Sequence, residues 1–174
     1  KTGNITDGQF STITSSNNPQ SDYLTFDFHI IQPLKNDEAR LIIEKIKKQS
    51  KPLSIYASVN FGMQLRNRKI YTGDVILNPN PSELTQYHKK CYTGKDISPY
   101  VVTYSDIYCY ANKEAQCGGC WIEEVHSYKP KILVRQVGST PICGIDLNGY
   151  NVLNSAFMIV TKTFDPYELL GQMN

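Results

Sequence analysis

The chain has 174 residues, which is the size of one domain. Apolar residues make up 40% of it and charged residues 20%, so a disordered or collagen-like chain is excluded. The 18 Lys and Arg residues nearly balance the 16 Asp and Glu residues, and a net charge of +2 is too small to favour nucleic acid as a partner. No run of about 18 apolar residues predicts a helix that spans a membrane.

The N-terminal segment differs in composition from the rest of the chain. Residues 1–21 are rich in Ser, Thr, Asn and Gly, and Asn17-Asn18-Pro19 interrupts them. This composition predicts a flexible arm. The start at Lys1 rather than Met indicates a processed or trimmed chain. No repeat or linker is visible after the arm, so we expect residues 22–174 to form a single domain.

The next elements are predicted from hydrophobic periodicity. Residues 23–31 alternate apolar and polar side chains and predict a strand with one buried face. A helix is expected after Asn36, with Ile42 and Ile46 on an apolar stripe that packs under a sheet. Strands over 53–61 and 70–77 would form a hairpin. We interpret the basic residues at its tip, Arg66 to Lys69, as an ordinary charged turn, with contact to an anionic partner as the alternative.

A short helix over 82–90 and a long strand over 100–110 complete the first half. The order strand, helix, strand, strand, helix, strand is that of a ferredoxin-like βαββαβ core. The first crossover is long enough to connect parallel strands with the usual right-handed sense.

The remainder is predicted to consist of β-hairpins and one last helix. Strands are expected over 121–128, 131–137 and 157–163, and Asn148-Gly149 predicts a tight turn between strands 142–147 and 150–153. Asp165-Pro166 would cap and open the final helix. The predicted fold is therefore α+β, with a mostly antiparallel sheet, two or three short helices, and hairpins that disulfides staple together after the βαββαβ core.

The cysteines cluster in the second half of the chain. Their confinement to a short stretch predicts two disulfides and one free thiol, as in an exported protein. The connectivity cannot be deduced from spacing. The five candidates are Cys91, Cys109, Cys117, Cys120 and Cys143.

The densest part of this cluster is Cys117-Gly118-Gly119-Cys120, which admits three interpretations. We favour a structural disulfide in a glycine turn. The first alternative is a redox or cysteine-dependent enzyme, in which Cys117 or Cys120 acts with His126. The second is a zinc-binding module, because the two cysteines have the spacing of a zinc knuckle and other Cys or His residues could complete the ligand set.

Four tyrosines of the predicted 100–110 strand share one parity. A row of this kind either buries its rings in the core or presents them to a protein or a glycan. We expect Tyr104 to be a core residue and at least one of Tyr108 and Tyr110 to be exposed. The candidate binding face consists of Tyr100, Tyr104, Tyr108 and Tyr110.

Motifs for nucleotide binding, metalloprotease and hydrolase chemistry are absent from the sequence. We therefore expect a non-enzymatic binding or structural module without a cofactor. The cysteines favour export, so the predicted location is the periplasm, the cell surface or the extracellular space. The predicted role is that of a subunit in a protein assembly of the secretion, pilus or adhesion type. Its partners would be proteins, copies of itself or glycans, but not nucleic acid.

Overall fold

The computed structural model describes residues 2–6, 9–14 and 37–174. The chain divides into two units, residues 1–51 and 52–174. The predicted strand over 23–31 lies outside the described residues, and the expected arm over 1–21 followed by one domain stays a prediction. In the described part of the chain, no helix has both the length and the apolar character needed to cross a membrane.

The described residues of the first unit form an antiparallel strand pair and a helix. Strand β1 (Thr2–Thr6) pairs with β2 (Gln9–Thr14), and helix α1 spans Asp37–Gln49. Ile42 and Ile46 are 59% and 56% exposed, so the expectation that they are core residues is wrong. Helical periodicity identifies an apolar face, but it does not determine whether a sheet lies against that face.

The second unit is built from short strands. Two helices and several single turns of 3₁₀ helix lie among these strands along the chain. The elements are β3 (Ala57–Phe61), β4 (Gln64–Leu65), β5 (Val75–Leu77), β6 (His88–Tyr92), β7 (Ile97–Ser98), β8 (Tyr100–Val102), β9 (Ile107–Tyr110), β10 (Gln116–Gly118), α2 (Glu123–Ser127), β11 (Lys131–Arg135), β12 (Cys143–Asp146), β13 (Asn151–Val152), β14 (Ala156–Thr161) and α3 (Pro166–Met173).

The largest sheet has six strands in the order β3-β14-β11-β12-β8-β7. All adjacent strands in this sheet are antiparallel except β12 and β8, which are parallel to each other. Strand β11 is buried on both faces: Ile132 packs in one apolar cluster with Leu169 and Leu170 of α3, whereas Leu133 packs in a second cluster with Tyr92. Since successive side chains of a strand point to opposite faces, β11 separates the two clusters.

A second sheet has the order β13-β6-β9-β5 and forms a third apolar cluster. Strands β6, β9 and β5 are antiparallel, while β13 runs parallel to β6. The small β10–β4 pair contributes Leu65 to the same cluster. The second sheet thus holds the loops that follow β4 and β6 near the segment that enters β14, where Gly94 donates a hydrogen bond to Ser155.

The predicted fold class is confirmed, because the described part of the chain is α+β with mostly antiparallel sheets and three short helices. The final helix is also confirmed, since Asp165 accepts hydrogen bonds from the amides of Tyr167 and Glu168 and Pro166 opens α3. The ferredoxin-like core is not confirmed, because its first strand lies outside the described residues and β3 pairs with β14 rather than with β5.

Several predicted elements differ from the structure. Residues 82–90 form a 3₁₀ turn at Pro81–Glu83 followed by β6, and residues 123–127 are helical rather than extended. The expected strand over 100–110 is two strands in different sheets. Asn148-Gly149 is a turn, but β12 and β13 on either side of it belong to different sheets and do not form a hairpin. Except in the helix over 123–127, strand pairing overrides the local pattern.

A buried ion pair joins three of these elements and the segment that precedes β13. Lys131 of β11 and Asp146 of β12 are direct cross-strand neighbours, and both side chains are fully buried. Lys131 Nζ donates to Asp146 and to the carbonyl oxygen of His126 in α2, and it lies 3.4 Å from the carbonyl oxygen of Tyr150, just before β13. Burial lowers the pKa of Lys131, and the charge of Asp146 opposes that effect.

Replacement of one member of this pair should be more damaging than replacement of both. Lys131→Met leaves the Asp146 carboxylate buried without its cation, and we expect a loss of about 3–5 kcal/mol in the free energy of unfolding. Adding Asp146→Asn should restore part of the loss, because the amide oxygen can still accept from the backbone amides of Asn148 and Gly149. Urea unfolding of Lys131→Met, Asp146→Asn and the double variant measures the coupling. A loss below about 1 kcal/mol for Lys131→Met would contradict this account.

Candidate functional site

The five cysteines are free thiols, and the predicted disulfide staples are therefore wrong. Cys91 and Cys109 are buried together in the cluster of the second sheet, and Cys143 is buried beside α3. These three act as small apolar core residues, which is a common role of free cysteine. A hydrogen bond to Cys109 and burial raise the pKa of Cys91, and burial raises the pKa of Cys143, so neither is activated as a nucleophile.

The Cys117–Cys120 segment is held by backbone contacts. Cys120 donates its amide to the carbonyl oxygen of Phe61, and Gly119 has φ +72°. A Cβ atom at Gly119 would overlap the carbonyl oxygen of Gly62. The glycine at this position is thus explained by the close approach of two backbones and by a left-handed conformation that suits glycine.

The structure gives no support to a metal at this segment. Within residues 37–174 and the two N-terminal strands, no three Cys, His, Asp or Glu side chains are grouped so that they could hold a metal ion. The redox alternative also lacks its expected setting, because Cys117 lies on strand β10 rather than at the start of a helix.

Thiol titration tests the free-thiol assignment. Without any reductant, the unfolded protein should react with five equivalents of Ellman's reagent. In the native protein, exposed Cys117 should react first and half-buried Cys120 more slowly, whereas Cys91, Cys109 and Cys143 should wait for unfolding. One reactive thiol in the unfolded, unreduced protein would instead restore the two predicted disulfides.

His126 connects the Cys117–Cys120 segment to the sheets. Its side chain is buried, Nδ1 accepts from the amide of Val152 at 3.1 Å, and Nε2 donates to the carbonyl oxygen of Cys120 at 2.9 Å. The two bonds specify one neutral tautomer. Burial lowers the pKa of His126, with an opposing effect of the Cys120 carbonyl. His126 is thus a structural connector, and no cysteine thiol is among its hydrogen-bond partners within the described residues.

The protein should lose stability on acidification because of His126. Its pKa is lower in the folded state than the value of about 6.5 for an unfolded chain, so the unfolded state binds the proton first. The contribution is complete above about pH 6.5 and is lost as the pH falls through the folded-state pKa. Urea unfolding at several pH values measures this. His126→Gln, which does not titrate, should show a smaller pH dependence; an unchanged dependence would contradict the assignment.

The four predicted tyrosines do not form one row. Tyr100 lies on β8 and is 52% exposed, whereas Tyr108 and Tyr110 lie on β9 and are half-buried. Tyr104 is in the intervening loop, where its ring lies 5.0 Å from that of Tyr150. The strand breaks because Asp106 has φ +53°, and its carbonyl accepts from Asn78. A role of these rings in binding stays a prediction.

A basic cleft lies elsewhere in the second unit, between the loops that follow β4, β6 and β11. Its volume is about 380 Å³. Three cationic side chains from separate parts of the sequence meet there. They are Arg68, Lys95 and Arg135, and Thr93, Gly94 and Ser155 also line the cleft.

The three cations of this cleft are not neutralised by ion pairs. In the described part of the chain, no carboxylate pairs with any of them. The acidic residue next to Lys95 is Asp96, which is buried and accepts from the amide and hydroxyl of Thr93 and from the hydroxyl of Ser105. By contrast, Arg66 forms a two-pronged ion pair with Asp74, at 2.9 and 3.0 Å, and stacks on Tyr71.

Close packing of two loops shapes the cleft. The amide of Gly94 donates to Ser155 Oγ at 2.8 Å. A Cβ atom at Gly94 would lie 2.6 Å from the carbonyl oxygen of Ser155 and 3.4 Å from Cγ of Arg135. Any larger residue would therefore separate the loop after β6 from the segment that precedes β14, beside Arg135. Sequence reasoning noted the basic Arg66–Lys69 tip but had no signal that Lys95 and Arg135 join it.

Comparison with known families bears on the part of the chain that supplies Lys95 and Arg135. Residues 89–174 match the TaqI-like C-terminal specificity domain. The match begins in β6 and extends to the end of the chain, so it includes both cations but not Arg68. No curated protein is similar enough to the chain to be matched to it.

This match overturns the functional predictions. A TaqI-like specificity domain is a DNA-recognition domain of restriction–modification enzymes, so the exported structural or binding module of a cell-envelope assembly is wrong. The secreted or periplasmic location and the exclusion of nucleic acid are wrong for the same reason. The prediction of export rested on disulfides, and the cysteines are free. The exclusion of DNA rested on net charge, which does not report where the cations lie.

Proposed function

We propose that the second unit recognises double-stranded DNA and provides sequence specificity to a restriction–modification enzyme. The observation that carries this proposal is the match of residues 89–174 to a specificity domain of the TaqI type. The matched residues include Lys95 and Arg135 of the basic cleft, which supports an anionic ligand.

The chemistry of the described surface is compatible with this function. DNA recognition combines cationic contacts to phosphates, which fix the position of the protein, with side-chain contacts to base edges, which select a sequence. The second unit supplies unpaired cations at the cleft and exposed polar and aromatic side chains on several loops. A small net charge does not argue against such a surface, because local cations interact with the phosphates directly.

Selection from a random duplex library tests the proposal. The full chain is incubated with the library at about 0.05 M salt, bound DNA is amplified over several rounds, and the enriched sequence is read. We expect one short motif to emerge. Changing a single base pair of that motif should weaken binding about 5- to 150-fold, because one mismatch costs about 1–3 kcal/mol.

A scrambled duplex of the same length and base composition is the control. The selected duplex should bind more tightly than the scrambled one, and the difference should persist when the salt concentration is raised, since only the phosphate contribution is strongly screened. Equal affinity for both duplexes, or no measurable binding at low salt, would contradict the proposed function.

A further inference from the structure

We infer that the cleft of Arg68, Lys95 and Arg135 holds the phosphate backbone of the DNA, whereas residues outside it read the base sequence. This inference rests on the proposed function and assigns part of it to named residues. Its basis is the convergence of three unpaired cations, from the loops after β4 and β6 and from the end of β11, on one cleft of about 380 Å³.

The composition of the cleft fits a phosphodiester. No carboxylate is among its described lining residues, so nothing repels an anion at close range. Two of its three cations are arginines, whose planar guanidinium groups can donate two parallel hydrogen bonds to phosphate oxygens. Ser155 accepts from the amide of Gly94, which leaves its own hydroxyl hydrogen available to donate to an anion.

The supporting elements keep these cations in position without neutralising them. Arg135 is the last residue of β11, whose first three residues are buried in the six-stranded sheet. Lys95 lies in the 3₁₀ turn Gly94–Asp96, which Thr93 caps by accepting the amide of Lys95. The carboxylate oxygens of Asp96 accept hydrogen bonds from Thr93 and Ser105 rather than from the neighbouring Lys95. The cations therefore remain available to an external anion.

The basic tip after β4 shows how the fold separates two roles. Arg66 forms an ion pair with Asp74 and stacks on the ring of Tyr71. These contacts connect the tip to the 3₁₀ turn at Thr72–Asp74. Arg68, two residues later, is exposed and lines the cleft. Arg66 thus has a structural role and fixes the loop that carries Arg68, the arginine that we assign to phosphate binding.

A phosphate site and a base-reading site differ in what their removal changes. Loss of a phosphate contact weakens binding to all sequences by the same factor and lowers the slope of log affinity against log salt by about one for each contact. Loss of a base contact weakens only the binding of the selected sequence. The assignment to phosphate therefore predicts a lower affinity, a smaller salt slope and an unchanged ratio between selected and scrambled DNA.

The test compares two triple variants of the full chain. Arg68→Gln, Lys95→Gln and Arg135→Gln together remove the cleft cations. The matched control replaces Lys113, Lys129 and Lys162 by Gln, which removes the same charge from exposed positions that do not line the cleft. Affinities for the selected and the scrambled duplex are measured from about 0.05 to 0.3 M salt, and thermal unfolding is used to verify that both variants are folded.

We expect the cleft variant to bind both duplexes at least about 10-fold more weakly at 0.1 M salt, with a salt slope reduced by about two to three. The control variant should lose less than about 3-fold. If the wild-type chain binds neither duplex, the proposed function fails and the inference fails with it. If it binds and the two variants behave alike, or the cleft variant loses only the preference for the selected duplex, the inference alone is overturned.

A cleft variant that is unfolded is replaced by the three single substitutions, each of which should lower the salt slope by about one. An RNA duplex of the selected sequence is the remaining comparison. Equal or tighter binding of that RNA, with the same loss in the cleft variant, would overturn the assignment to DNA.

Discussion

The second unit depends on the buried ion pair of Lys131 and Asp146. The side chain of Lys131 on β11 donates to Asp146 on β12 and to carbonyl oxygens at the end of α2. Asp146 compensates its charge and also accepts hydrogen bonds from the amides of Asn148 and Gly149. Burying such a pair costs several kcal/mol of desolvation free energy, which is offset only when both groups have a complete set of hydrogen bonds. An arrangement of β11, β12, α2 and the chain before β13 that separated Lys131 from Asp146 would leave a buried charge without its partner.

The same strand carries this constraint to the basic cleft. Lys131 begins β11 and Arg135 ends it, and with Leu133 they share one face of the strand. Leu133 is fully buried against Tyr92, just before the loop that supplies Lys95. Two of the cleft cations are thus positioned by the packing of the sheets, whereas Arg68 is positioned by the ion pair of its neighbour Arg66.

Local signals in the sequence predicted part of this fold. The Asp165-Pro166 start of α3, the alternating residues of β3 and the α+β class follow from capping and periodicity, which are properties of neighbouring residues. Strand pairing depends on residues that are distant in the sequence. The predictions of one long strand over 100–110 and of a hairpin at Asn148-Gly149 were therefore wrong. The clustered cysteines led to a wrong prediction for a related reason. Cys91, Cys109 and Cys143 lie on strands that are close to one another in the sequence, and their burial in the core, rather than oxidation to disulfides, explains why they cluster.

The candidate site was missed because total charge and charge placement are different quantities. Some cations of this chain are already compensated, as Lys131 is by Asp146 and Arg66 by Asp74, and these contribute nothing to an external field. Arg68, Lys95 and Arg135 are separated by 27 and 40 residues in the sequence and form no run of positive charge. The pairing of β4 with β10, of β6 with β9 and of β11 with its neighbours brings them to one cleft, so a nearly neutral chain can still present a concentrated positive surface to an anion.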